Sequence, residues 1–166
     1  MNTKTNINNQ QIAELLFAME QNAEKAPILE LSLTNWIAEF GQAGIVETPV
    51  GTVKMGENQY NKIIKARRET EFGMIKPTLE KPDIVLEKPT VAKTGDTTER
   101  PSSLLFIKTF HYGGNIVKFF MSVTVSKEEK EVVVSNHIVT QRGFENNVKK
   151  SVIIYINERL IPNSSD

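Results

Sequence analysis

Three long segments in the second half of the chain restrict the fold more than any other feature. SLLFIKTFHY, NIVKFFMSVTVS and EVVVSNHIVT, starting from Ser103, are rich in β-branched and aromatic residues and are separated by GGN and KEEK. Such side chains suit the pleated surface of a strand, and short glycine-rich or charged separators close hairpins. The segments therefore read as consecutive antiparallel strands. DIVLEK, from Asp83, opens the same set; GFENNVKKS reads as a short helix, and VIIYI as either a final strand or a helix end.

The first half has a different period. From Gln10, the apolar residues Ile12, Leu15, Leu16 and Met19 recur at i, i+3, i+4 and i+7, which predicts an amphipathic helix ending before Pro27. LSLTNWIAEFGQAG predicts a second helix, capped by Ser32 or Thr34, ended by Gly41 or Gly44, and anchored to the core by Trp36 and Phe40. IVETPVGTVKMG alternates around Pro-Val-Gly as a short hairpin does. ENQYNKIIKARRETEFGMI predicts a helix with Tyr60, Ile63, Ile64 and Phe72 inward and Lys62, Lys65, Arg67 and Arg68 outward. Lys76-Pro77 and Lys81-Pro82 are expected to break it, because proline biases its predecessor away from helix. PTVAKTGDTTERPSS reads as an exposed loop. The expected class is α+β: N-terminal helices packed on an antiparallel meander.

A chain of 166 residues with 39% apolar content fits one core. The expected layout is a disordered arm at 1–9, helices over 10–45, the strand-bearing domain over 46–160 and a flexible tail at 161–166. Twenty basic and twenty acidic residues cancel, so a nucleic-acid surface has to be a local patch. One exists between Lys54 and Lys81, where seven Lys and Arg face four Glu. The absence of cysteine removes disulfides, thiolate nucleophiles and Cys-ligated zinc. The polar start MNTKTNINNQQIAEL has no signal-peptide pattern, and the longest apolar runs fall far short of the ~20 residues of a membrane span. The expectation is a cytoplasmic protein without a membrane partner.

Few groups are left for chemistry. The two histidines, His111 and His137, lie on different predicted strands without a DxD or HxxxH cluster, and there is no phosphate-loop motif. No metal or cofactor is expected. Strand alternation puts Ser135 and His137 on one face. Lys108 interrupts an apolar strand, as either a site cation or a snorkelling edge residue. Arg67 and Arg68, with Lys76 on the same basic segment, are either a phosphate wall or a solvated helix face paired with acids such as Glu71. Together these are the parts that metal-free RNA cleavage needs. Histidine carries the proton, arginine and lysine hold the phosphate, and serine orients it.

The order of elements, with the basic helix running through IKPTLEKPDIVLEK into FIKTF, KFFMSVTVS and EVVVSNHIV, resembles the barnase/EndoU/colicin/RelE-like (BECR) nuclease superfamily. More narrowly it is similar to the branch of phages and mobile elements. The resemblance spans about Val46 to Ile156. It implies metal-independent endonucleolytic cleavage of RNA, often tRNA or ribosome-bound mRNA, in proteins that are commonly toxins or effectors. It points to Arg67 or Arg68, to Lys108, and to Ser135 with His137 as catalytic or phosphate-binding positions. NKIIKARRETEFG lacks the histidine that such proteins often carry in this helix. The alternative expectation is therefore an inert module of the same fold that grips nucleic acid or a protein partner, such as a cognate inhibitor. A structural domain without activity is the third.

Overall fold

The computed structural model describes residues 8–65, 71–88, 103–125 and 132–161. Asn8 opens α1 (Asn9–Gln21) through a capping box with Gln11, and Ile12, Leu16 and Met19 form its buried stripe. A two-residue strand, β1 (Glu24–Lys25), follows. Ser32 caps α2 (Leu33–Phe40), Gly41 ends it at φ 81°, and Trp36 and Phe40 are buried as the sequence predicts. The expected hairpin is β2 (Ile45–Thr48) with β3 (Gly51–Lys54). Then come α3 (Glu57–Lys65), α4 (Phe72–Glu80), β4 (Ile84–Lys88), β5 (Ser103–Tyr112), β6 (Asn115–Val125), β7 (Val132–Val139), α5 (Gln141–Lys150) and β8 (Val152–Ile156), closed by a 3-10 turn at Glu158–Leu160.

The strand readings hold. β4, β5, β6 and β7 form an antiparallel meander, and Gly113 and Gly114, both at positive φ, make the two-residue turn between β5 and β6. VIIYI is a strand, and after α5 it returns to the far side of β4, giving the sheet order β7-β6-β5-β4-β8. β1 pairs in parallel with β5 at Phe110 and His111, in line with β4 but beyond its start.

One expectation needs correction. Pro77 does not break the helix; it lies inside α4, which stops at the Lys81-Pro82 step. Burial of Phe72, Met74, Ile75, Thr78 and Leu79 holds the helix together through the proline. Gly73 lets α4 press on the segment between β1 and α2, since a Cβ there would collide with the Pro27 carbonyl oxygen. Residues 66–70, which contain Arg67 and Arg68, lie outside the described residues, as do residues 1–7 of the expected 1–9 arm and most of the expected loop and tail; Asn8 and Asn9 cap and open α1.

The sheet is covered on both faces. Trp36, Phe40, Phe72, Leu79, Phe106, Phe110, Phe119 and Met121 pack on the side of α2, α3 and α4. Ile12, Leu16, Met19, Ile84, Leu86, Leu105, Ile107, Phe120, Phe144 and Leu160 pack on the side of α1 and α5. Among the described residues no helix is long and apolar enough to cross a membrane.

Candidate functional site

Directly opposed residues of an antiparallel pair share a face, and neighbouring rows alternate between faces. On the α1–α5 side, one row runs Lys88, Ser103, Thr124, and the next on that side runs Leu86, Leu105, Ser122; the β7 register partners of Thr124 and Ser122 are Val133 and Ser135. The third is Ile84, Ile107, Phe120, with His137 as the register partner of Phe120, and the fourth is Thr109, Lys118, Val139. Lys88, Ser103, Ser122 and Thr124 of the first two rows make a polar strip beside the buried Leu86 and Leu105. Thr124 Oγ1 donates to Ser103 Oγ at 3.0 Å, and the Ser103 and Ser122 hydroxyls stand 3.3 Å apart. Ser103, Ser122 and Thr124 are half-buried and Lys88 is exposed. Beyond the strip, Phe144 of α5 closes edge-on over Phe120 at 6.4 Å. The strip thus ends at the row of His137.

Each residue singled out in the sequence can now be placed. Ser135 and His137 occupy register positions two residues apart on β7, opposite Ser122 and Phe120. Lys108 belongs to the intervening row, opposite Phe119 and so in line with Ile138; the structure does not bring it together with Ser135 and His137. Its side chain is fully buried, donates to the Lys81 carbonyl at 2.7 Å and lies 3.5 Å from Glu24. Lys76 sits on α4 with its ammonium 4.0 Å from Glu39. α3, which leads towards Arg67 and Arg68, packs against β7.

Lys108 is part of a charged network in the gap between the start of β4 and β1. Arg159 donates to Glu24 at 2.7 Å and to Asp83 Oδ1 at 3.0 Å, while Asp83 Oδ2 accepts the Thr109 amide at 2.8 Å. The backbone of Asp83 extends the β4 ladder to Ile107 and Asn157. Two apolar hollows lie elsewhere. One, of about 590 Å3, is lined by Ile28, Leu29, His111 and Tyr112; the other, of about 800 Å3, lies between α1 and β8.

A family model described as phage-Barnase-EndoU-ColicinE5/D-RelE like nuclease2 matches residues 35–156. The chain belongs to this nuclease family. Comparison with curated proteins and with solved structures gives no match. The matched nuclease region runs from α2 to the end of β8. It leaves out α1, β1 and Arg159, so Glu24 and Arg159 tie flanking segments to Asp83 and Lys108 inside it.

The electrostatics of the nuclease's two polar regions differ. In the network, burial pushes the Lys108 ammonium below its ordinary range and the Asp83 carboxyl above its own, whereas the Arg159 bond holds Glu24 below the usual carboxylate range. Those groups satisfy one another at the expense of access. The hydroxyl strip is half-buried and, among the described residues, carries Lys88 as its charged group, which suits donation to a phosphate oxygen. Among the described residues no group of three or more His, Cys, Asp or Glu is placed to hold a metal ion.

The sequence reading missed Ser103, Ser122, Thr124, Lys88 and Lys118. A signal for three of them was there. Lys118, Phe120, Ser122 and Thr124 alternate with Val117, Phe119, Met121 and Val123, which marks a more polar and an apolar face of one strand.

Proposed function

We propose that this nuclease is a metal-independent endoribonuclease of a phage or mobile element, acting in the cytoplasm on RNA. Attack of a ribose 2′-hydroxyl on the neighbouring phosphorus forms the P–O2′ bond and breaks the P–O5′ bond. The products are a 2′,3′-cyclic phosphate and a 5′-hydroxyl. His137 carries a proton, as base towards the 2′-hydroxyl or as acid towards the leaving oxygen. Ser135 and Ser122, which share a row, donate to the phosphate, and Lys88 adds a charge at the exposed end. α3 lies on the other face of the sheet, against β7, so Arg67 and Arg68 supply bidentate phosphate contacts by reaching round the β7 edge. Lys108 acts at a distance, by fixing the start of β4 against β5. A protein with this activity calls for a cognate inhibitor in its host.

The observation that carries the reading is the hydroxyl strip of Ser103, Ser122 and Thr124 leading to the Ser135 and His137 rows in a member of a nuclease family. The test is incubation of the full chain with total bacterial RNA in EDTA, with products and their termini resolved. Discrete fragments ending in 2′,3′-cyclic phosphate are expected, with cleavage about 10²- to 10⁴-fold slower in His137→Ala and weaker in Ser122→Ala and Arg67→Ala/Arg68→Ala. Full cleavage by His137→Ala would overturn its role.

One observation favours a second reading, an inert module that binds a partner. Lys76 of α4 and Lys108 and Lys118 of the sheet each stand within 4.0 Å of a glutamate, so these cations leave little net charge for a phosphate. Association that ignores ionic strength, with no cleavage in any buffer, would select this reading; a steep salt dependence would select phosphate contacts.

A further inference from the structure

Lys118 and Thr109 face each other across β5 and β6, one same-face row beyond His137. Both are buried and both are under-used. The Lys118 side chain is 7% exposed, and its one partner among the described residues is Glu20 Oε1 at 3.8 Å, beyond hydrogen-bond distance. Thr109 Oγ1 is buried with no hydrogen-bond partner among the described residues. A buried ammonium whose counter-charge stays beyond hydrogen-bond distance and a buried hydroxyl without an acceptor are each unfavourable, and both are relieved by the same thing, an anionic oxygen between them.

The surroundings agree. The nearest carboxylate on the β5 side, Asp83, is already engaged by the Thr109 amide and Arg159. His111 lies diagonal to Lys118 in the register and is exposed. Glu20 is in the last turn of α1 and its side chain is 40% exposed, so it can swing into solvent without moving the helix.

We infer that Lys118 and Thr109 form a second phosphate-binding site, beside which the Glu20 carboxylate stands, 3.8 Å from Lys118, in the free protein. The inference rests on the nuclease reading for its ligand, a phosphate group of the nucleic-acid substrate. Phe120 and Phe144 stand between this pair and the hydroxyl strip, so the phosphate bound here is not the scissile one. Same-face rows are about 6.7 Å apart, so a strand laid along β6 would reach both places with different phosphates.

The test is titration calorimetry of the full chain with inorganic phosphate and with a short all-2′-deoxy oligonucleotide, which cannot undergo 2′-hydroxyl attack. Glu20→Gln should bind the oligonucleotide roughly two- to fivefold more tightly, the scale of a partly exposed ion pair. Lys118→Met, which keeps the side-chain volume, should weaken it at least about tenfold, and Thr109→Val should weaken it less. Affinity unchanged by Glu20→Gln, or unchanged by Lys118→Met, overturns the site. If Lys118→Met fails to fold, Thr109→Val in the Glu20→Gln background decides, and no loss of affinity there overturns it too. A response to inorganic phosphate alone, with the oligonucleotide unaffected, overturns the assignment to substrate. Oligonucleotide binding that follows Lys118 in a protein that cleaves no RNA would sink the nuclease reading and keep the site. Cleavage that needs His137 with binding indifferent to Lys118 would do the reverse.

Discussion

Arg159 holds two carboxylates at once, and pH reads out what it does. Its bond to Glu24 keeps that carboxyl below its ordinary value, so the Glu24 contribution is present above the unfolded value and is lost as pH falls through the folded one. Burial raises Asp83, whose contribution is instead full below the unfolded value and is lost as pH rises through the folded one. Arg159→Met removes the bond that lowers Glu24 and one of the bonds that keep Asp83 ionised. The variant should be about 1–3 kcal/mol less stable at pH 7, and the deficit should shrink at acid pH, as first the raised Asp83 and then the lowered Glu24 take up protons. Urea unfolding at neutral and at acid pH checks this, and a deficit independent of pH would mean that Arg159 acts by packing alone. Single residues were legible here where a short-range period applied. Alternation set Ser135 and His137 two positions apart on a strand, and β7 carries them at the register partners of Ser122 and Phe120. Lys108 stood out as a charge in an apolar strand, but its partners, Glu24 and the Lys81 carbonyl, and the Arg159 and Asp83 linked to Glu24 come from distant stretches, and no local pattern joins them.

Among the elements, strands were legible because β-branched and aromatic runs leave few alternatives, and Gly113-Gly114 fixed the tightest turn. β1 was not, because Glu24-Lys25 has no pattern and pairs only because β5 outruns β4. α4 shows the limit of proline as a stop signal. Its interior Pro77 lacks the amide that would bond to the Gly73 carbonyl, and the helix survives because most of its side chains are buried. Proline inside a helix costs ~3 kcal/mol, and replacing it loosens the unfolded chain by ~0.4–1 kcal/mol. With part of the strain already relaxed in the native helix, Pro77→Ala should stabilise the protein by about 1–2 kcal/mol. The midpoint of urea unfolding should rise with an unchanged slope. No gain would show that α4 is bent around the proline in a way alanine cannot use.

The whole molecule is larger than its family-matched region, and the difference is structural. Ile12, Leu16 and Met19 of α1 are buried among Ile84, Leu86, Ile107 and Phe120, on strands inside the region, while Arg159 and Glu24 clamp the gap beside β4. The apolar spacing of α1 was readable, but not the surface it covers, since a helix stripe does not specify its partner. Burying three such side chains contributes about 1.5–3 kcal/mol each. The total of roughly 5–9 kcal/mol is comparable with the 5–15 kcal/mol that holds a typical domain together. A fragment of residues 35–156 should therefore lack a cooperative thermal transition and bind a hydrophobic dye, while the full chain melts in one step. Adding residues 8–34 back as a separate peptide should restore part of the transition, because the groove they fill is formed by β4, β5 and β6. If the fragment melts cooperatively alone, α1 is an attachment rather than half of a core. Glu20 would then be free to leave Lys118 together with its whole helix, and the second phosphate site would open by a movement of α1 instead of a side-chain rotation.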